Sequence, residues 1–288
     1  MSNQLPVLSW ISNSENIIRE RRSIRGFDGA AVDSTKKKAL LASLETGRNP
    51  FKSGHRFKIV ESDNESGEAL KLGTYGIIKG AKQYLISAMT AGDEHLEALG
   101  FDMEYAVLEA QAQGLGTCWL GGTFNKGQFA TALGLKEGEF LPIAIPFGKP
   151  AAKDGLMGRI IRSVAGSNNR FAFEELFSNE SYGTPLSMSD AGKFATALEM
   201  VRLGPSASNK QPWRAVKEGN TVHFYLKPNK GYSDSLGYDI QRVDMGIAVC
   251  HFDAMTQSQG IEGHFEKLSG PENEKRDDLT YIISFIAK

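Results

Sequence analysis

Hydrophobic and polar positions along the chain fall into an order of elements that runs through twice. The most regular stretch is 94–113, where Leu99, Met103, Ala106 and Ala110 recur at steps of three and four. Asp102, Glu109 and Gln113 lie off that face, so the pattern predicts a helix with one apolar side. Residues 240–259 repeat the pattern, with Met245, Ala248, Phe252 and Met255 facing inward. Shorter helices are predicted around it. One begins at Asn13 behind a Ser12 cap, with Glu15 completing a capping box and Ile17 and Ile18 as its apolar side. Another covers 34–44 with Leu40, Leu41 and Leu44, a third covers 189–203, and a short one covers 173–177. Strands are predicted at 57–60, 83–88, 140–147, 213–216, 221–226 and 279–287. A polar turn is predicted at 63–68, followed by a glycine-containing stretch at 70–80.

The repetition is visible residue by residue. At one offset of 146 positions, Gly100 falls on Gly246, Gln111 on Gln257, Gln113 on Gln259 and Gly114 on Gly260. The helix-loop-strand units 38–60 and 194–216 correspond as well, with Phe57 opposite Trp213. The shared order of elements predicts two lobes in one chain, 1–150 and 181–288. Residues 151–180 form an arm between them that carries Arg159, Arg162 and Arg170.

Composition narrows the class. With 288 residues, 41% hydrophobic and 23% charged, the chain is an ordinary globular protein with room for two cores. A net charge of −1 gives no electrostatic footprint for nucleic acid. Cys118 and Cys250 form neither a metal-ligand spacing nor a disulfide framework. No segment reads as a signal peptide or a membrane span, so a cytoplasmic protein without a membrane partner is expected.

Three short stretches carry candidate chemistry. Arg21-Arg22-Ser23-Ile24-Arg25 puts three guanidinium forks and a hydroxyl within five residues, which suits a phosphate. A solvated basic helix end would have the same composition. Gly114-Leu115-Gly116-Thr117, followed by Gly121-Gly122, is not a dinucleotide fingerprint, because it follows a helix and its glycines are misplaced. It suggests backbone brought close to something flat or crowded. Residues 204–213 combine Pro205, Ser206, Ala207, Ser208, Asn209, Gln211 and Pro212. That is turn chemistry, and it also offers donors and acceptors to the edge of a polar heterocycle. Trp119 and Trp213 could line a pocket or belong to the core.

Taken together, these stretches resemble the Arg-Arg-Ser-x-Arg, glycine and Pro-Ser-x-x-Asn-x-Gln-Pro-Trp segments of the FMN-dependent nitroreductase family. Their order differs from an ordinary member, since the Pro-Ser loop should follow soon after the arginines. Ordinary members are intertwined homodimers with FMN at the interface. The chain resembles the internally duplicated, pseudo-dimeric members, in which both halves of the interface lie in one polypeptide. The resemblance implies an α+β fold with three-layer α/β/α lobes.

It also implies a set of roles. Arg21, Ser23 and Arg170 would hold the phosphate of FMN, supported by Arg22, with Arg25 at the pyrimidine edge. Leu120, Gly121 and Gly122 would approach the flavin N5 edge. Pro205, Ser206, Ala207, Ser208, Asn209 and Gln211 would cover the ring from the second lobe, and Thr74 would contact the pyrimidine side. NADH or NADPH would act as reductant, and a nitroaromatic or quinone-type compound as the small-molecule substrate. A flavin-binding carrier or sensor without turnover is the alternative. A fused interface implies a monomer, with further self-association left open by the sequence. The mirrored site has no counterpart of the arginines or the glycine pair, so one flavin per chain is expected.

Overall fold

The computed structural model describes residues 8–52, 54–62, 72–152, 169–269 and 276–288. The expected turn at 63–68 and the arm residues Arg159 and Arg162 lie outside them. The first half contains α1 (Ser14–Glu20), α2 (Ser34–Ser43), α3 (His95–Ala112) and α4 (Lys126–Leu133). Its sheet is built from β1 (His55–Glu61), β2 (Gln83–Thr90), β3 (Gly116–Thr117) and β5 (Ala144–Gly148), with β4 (Glu139–Phe140) beside β2. The second half contains α5 (Phe173–Leu176), α6 (Met188–Ala191), α7 (Ala195–Leu203) and α8 (Ile240–Ser258). Its strands are β6 (Phe177–Asn179), β7 (Trp213–Glu218), β8 (Thr221–Leu226), β9 (Gly263–Glu266) and β10 (Thr280–Ala287).

The two sheets have one topology. The first runs β1-β2-β5-β3 and the second β7-β8-β10-β9, all antiparallel, with β6 added parallel to β7 at the outer edge. In the first half, Leu85, Ile143 and Ile145 pack towards α2 and α3, while Tyr84, Ile86 and Ala88 pack towards Phe129 and Leu133 of α4. That half has helices on both faces of its sheet. In the second half, α7 and α8 cover one face through Leu198, Val201, Phe252 and Met255. The other face meets the smaller cluster of Val216, Tyr225, Leu279 and Tyr281.

At the centre, α3 and α8 pack against each other through the two glycines matched by the repeat. A Cβ on Gly100 would strike the carbonyl of Val243, and one on Gly246 would strike the carbonyl of Glu97. Glu97 and Val243 are themselves 146 positions apart, as are Gly100 and Gly246. The contact is therefore self-complementary, as across a two-fold dimer interface.

This central position also explains why α3 is buried on nearly every side rather than on one face. Each of its buried carboxylates is met by a group brought from elsewhere in the chain. Arg242 donates to Glu97 at 2.5 Å, and Asn49 donates to Asp102 at 2.8 Å, with His55 Nε2 at 2.9 Å from the same carboxylate. Trp119 Nε1–H donates to Glu104 at 2.9 Å, and Trp10 Nε1–H donates to Glu109 at 2.9 Å.

Three local expectations are corrected. The Ser12 capping box does not form: residues Ile11–Asn13 make a 3-10 turn and Ser14 Oγ donates to the Ile11 carbonyl. The strand at 140–147 is interrupted, since Pro142 falls between β4 and β5 and has no N–H for a ladder. The helix at 189–203 is broken at Gly192, whose φ of +56° and ψ of −125° leave the helical region. The structure adds α4, capped by Asn125 accepting from Gln128 N–H, and the short strands β3, β6 and β9.

Candidate functional site

A cavity of 690 Å³ lies between the two halves, a volume typical of small-molecule and cofactor sites. Four separated stretches wall it, and each is fixed by its own local structure.

After α1 the chain becomes extended. Ile24 N–H donates to the Thr117 carbonyl at 2.8 Å, and Lys79 N–H donates to the Arg25 carbonyl at 2.9 Å. An extended backbone alternates its side chains, so Arg21, Ser23 and Arg25 reach the cavity together. Ile24 turns onto Gly116, where a Cβ would collide with it. Arg22 also lines the cavity, but its Nη1 donates to the carbonyls of Arg19 and Arg21 at 2.5 and 2.8 Å.

The other cations are held differently. Nε of Arg21, and Nε and Nη1 of Arg25, are buried without a hydrogen-bond partner. Burial lowers the Arg21 pKa, against the opposing pull of Glu104 and Cys118. Arg170 joins them from the arm, donating to Asn209 Oδ1 at 2.6 Å and to the Leu203 carbonyl at 3.3 Å. Desolvation, reinforced by repulsion from Arg21, Arg202 and Arg22, brings its pKa down to about 10. Cations crowded together with buried N–H groups facing a cavity form an anion site.

The glycine wall is equally close-packed. Leu120 exchanges two 3.0 Å backbone hydrogen bonds with Ala144, which fixes the strand entering Gly121 and Gly122. A Cβ on Gly121 would strike Ile240, and one on Gly122 would press on Leu236. Tyr238 Oη lies 2.9 Å from the Gly121 carbonyl and 2.8 Å from that of Pro142, tying the second half to this wall.

Opposite stands the Pro-Ser loop, leaving α7 at Gly204. Ser208, Asn209 and Gln211 have φ of +46°, +55° and +50°, left-handed values that non-glycine residues rarely adopt. Such conformations cost of order 1–3 kcal/mol each and persist only where neighbours over-determine them. The neighbours are present. Gln211 N–H donates to Ser206 Oγ at 2.9 Å, Tyr232 Oη–H to Ser208 Oγ at 2.7 Å, and Asn209 Nδ2 to the Asn169 carbonyl at 2.7 Å.

Thirteen of the fifteen residues expected at the site line this cavity: Arg21, Arg22, Ser23, Arg25, Leu120, Gly121, Gly122, Arg170 and 205–209. Thr74 and Gln211 do not. Thr74 is buried and its hydroxyl turns back to the Ile78 carbonyl at 3.4 Å. Gln211 instead accepts from Phe171 N–H at 3.0 Å and donates to the Asn169 carbonyl at 3.3 Å, fastening the arm to the loop. Of the two tryptophans, Trp119 lines the cavity and Trp213 belongs to the core.

The cavity also has walls that the motifs did not indicate. Ile240, Val243, Asp244 and Ile247 form a stripe along α8, and Tyr232, Ser235 and Leu236 come from the β8–α8 connection. The α8 stripe was marked by apolar residues three and seven positions after Ile240, on a face other than that of Met245 and Phe252. The turn-rich connection has no period to mark it.

Among the described residues no group of three or more His, Cys, Asp or Glu is arranged to hold a metal ion, and no helix is long and apolar enough to cross a membrane.

Comparison with known proteins places this geometry. A crystal structure from Thermotoga maritima described as a "putative nitroreductase" is 20% identical, with a TM-score of 0.59 and 99% of each chain covered. An FMN-dependent nitroreductase from Clostridium difficile is 17% identical, with a TM-score of 0.38 and 48% of this chain and 88% of that one covered. A crystal structure from Desulfovibrio desulfuricans described as a "putative nitroreductase in complex with FMN" is 25% identical, with a TM-score of 0.38 and 50% and 92% covered. None of the curated proteins matches the sequence. The sequence profile described as "Putative TM nitroreductase" matches residues 13–256. The chain therefore belongs to that nitroreductase family and carries its fold as a pseudo-dimer within one polypeptide.

Proposed function

We propose that the chain is an FMN-dependent NAD(P)H oxidoreductase with one flavin site, completed by its own two halves. The observation that carries this reading is convergence. Arg21-Arg22-Ser23 and 205–209, more than 180 positions apart in sequence, face one cavity with Gly121 and Gly122 between them.

The residues present fit the group. Buried guanidinium nitrogens without partners suit an anionic phosphate and a polar ring edge, and Gly121 and Gly122 line the cavity with no side chain to cover their backbone. Arg21, Ser23 and Arg170 would hold the phosphate, while Arg22 would contribute charge, since its donors serve the backbone. Arg25 would stabilise negative charge at the pyrimidine edge. The 205–209 loop would cover the ring, and Ile143, Leu236 and Ile240 would exclude water from it.

When bound, the flavin would supply two-electron hydride chemistry, accepting from NADH or NADPH and donating to a nitroaromatic or quinone-type acceptor in alternate half-reactions. The protein's part is to bind, orient and exclude solvent. Because both walls lie in one chain, a monomer suffices to build the site.

The test is to incubate purified protein with FMN and FAD, denature it and identify the released flavin by chromatography. Recovery of FMN is expected. Recovery of FAD, or no uptake, would remove the core of the reading. Steady-state NAD(P)H oxidation with a nitroaromatic or quinone then separates an enzyme from a flavin carrier.

A further inference from the structure

Among the described residues lining the cavity, Asp244 carries the one carboxyl, and Arg21, Arg25 and Arg170 line the same cavity without reaching it. It is 3% exposed. Both of its oxygens accept from the same donor, Ala207 N–H, at 3.0 and 3.2 Å. No lysine or arginine among the described residues pairs with it. This sets it apart from Glu97, Glu104 and Asp253, which meet Arg242, His251 and Arg48 respectively.

The surroundings have been arranged without a counter-charge for Asp244. At the N-cap of its helix Asp239 repels a second negative charge, and Arg242, two positions before Asp244, is spent on Glu97. The Pro-Ser loop offers Ala207 N–H, while Lys210 sits over the Tyr232 ring at 5.6 Å. The β8–α8 connection offers the Tyr232 hydroxyl, already spent on Ser208. On α3, Glu97 is occupied by Arg242. An ionised carboxylate buried in this way is costly, so such a group takes up a proton instead. In agreement, desolvation holds its pKa well above the usual carboxylate range, outweighing the favourable Ala207 N–H, with a smaller push from Asp239.

Its position matters as much as its state. Asp244 lies four residues after Ile240, just over one helical turn or about 6 Å along α8. Ile240 is the residue against which Gly121 is packed. The carboxyl therefore stands on the turn of α8 next to the glycine wall, which the family resemblance sets at the flavin N5 edge.

We propose that Asp244 is the acid of this cavity, a carboxyl that carries its proton in the resting protein and delivers it to an oxygen of the acceptor. The inference rests on the oxidoreductase reading. Hydride transfer brings two electrons and one hydrogen, leaving a quinone one proton short of the hydroquinone. A nitro group likewise needs one further proton to release water and become nitroso. The Asp244 O–H bond breaks, a new O–H bond forms on the acceptor oxygen, and solvent re-protonates the carboxylate. The substrate class this favours is a compact, uncharged acceptor presenting a carbonyl or nitro oxygen.

Infrared spectroscopy of the flavin-free protein tests the resting state. At neutral pH the wild type should show the carbonyl stretch of an unionised carboxylic acid, shifted by isotope-labelled aspartate and lost in Asp244→Asn. Absence of that band overturns the proposal even where FMN binds normally. Failure of FMN to bind overturns the oxidoreductase reading and leaves the band in place. In the loaded protein, Asp244→Asn should slow re-oxidation by a quinone by about a hundredfold, the usual scale for loss of a general acid. FMN affinity and the reduction half-reaction should change little, and the fall in re-oxidation rate with rising pH should disappear. Equal losses in FMN binding and both half-reactions would show that Asp244 only pins the Pro-Ser loop. If Asp244→Asn does not fold, the labelled wild-type band and its pH titration decide the matter alone.

Discussion

The two halves are most alike where they touch each other and least alike where the cavity opens. Gly100 and Gly246 make the same contact with the opposite helix, each against the carbonyl of the residue equivalent to the other's neighbour. Away from that contact, the same 146-position offset carries Gly121 onto Lys267, Trp119 onto Phe265 and Asp244 onto Ala98. Lys267 pairs with Glu94 at 3.3 Å, where the cavity side has a bare glycine. The loop equivalent to 205–209 is also filled. Asn49 donates to the Ala98 carbonyl at 2.9 Å, and Phe51 is buried edge-on against Phe101 at 6.5 Å. Between β2 and α3 the connection covers 91–94, whereas between β8 and α8 it covers 227–239 and supplies Tyr232 and Leu236 to the cavity. A self-complementary contact constrains both of its halves at once, while a ligand needs one site. Packing holds the symmetry at the contact, while the residues equivalent to the cavity wall pair and pack with one another.

The strongest way to break this comparison is at the central contact. Gly246→Leu places a side chain where the Glu97 carbonyl lies, and helix backbone cannot yield as a flexible side chain can. A loss of about 3 kcal/mol or more in unfolding free energy is expected, at the upper end for overpacking. Gly100→Leu should cost a similar amount, because its contact is the equivalent one. Urea unfolding of both variants makes the check, and tolerance of one with collapse of the other would contradict the equivalence of the halves.

Next in size is the phosphate grip. Arg21→Ala should weaken FMN by roughly 1.5–3 kcal/mol, about one to two decades in affinity. Riboflavin, which lacks the phosphate, should be affected far less. Fluorescence titration with both ligands separates a phosphate ligand from a structural arginine, for which the two losses would be equal.

The smallest effect belongs to the mirrored side. Lys267 is half exposed and its partner Glu94 is only partly buried, so Lys267→Ala should change stability by no more than about 0.5 kcal/mol. FMN affinity should not move. A marked loss of FMN binding would mean that the flavin occupies the mirrored region.

These contrasts also explain what could be read from the sequence alone. The two long helices were legible because their apolar period is sustained, and the repeat because its glycines cannot be replaced where backbones meet. Arg21 to Arg25, Gly121-Gly122 and 205–209 were legible as compact runs of unusual chemistry. Asp244 was not, since one carboxyl in a helix is ordinarily solvated, and its burial depends on a loop that begins almost forty positions earlier. Tyr232, Leu236 and Tyr238 come from a turn-rich connection whose path is fixed by Gly121, Gly122 and Ser208 rather than by local propensity. Thr74 and Gln211 are the opposite case, expected at the site but absent from the cavity lining. Both belong to stretches near the site, and both turn their side chains to backbone carbonyls instead. Two-residue β3 and the mostly exposed β9 exist through pairing with β5 and β10, which no local pattern announces.

The central claim, one site built by two halves of one chain, is tested most directly by the stoichiometry of flavin binding. FMN titration at concentrations far above the dissociation constant, with light scattering on the same sample, gives flavins per chain and chains per particle together. The expected result is one FMN per chain, retained in a particle of a single chain. Two equivalent flavins per chain would contradict the loss of the mirrored site, and binding confined to particles of two or more chains would contradict a cavity completed within one.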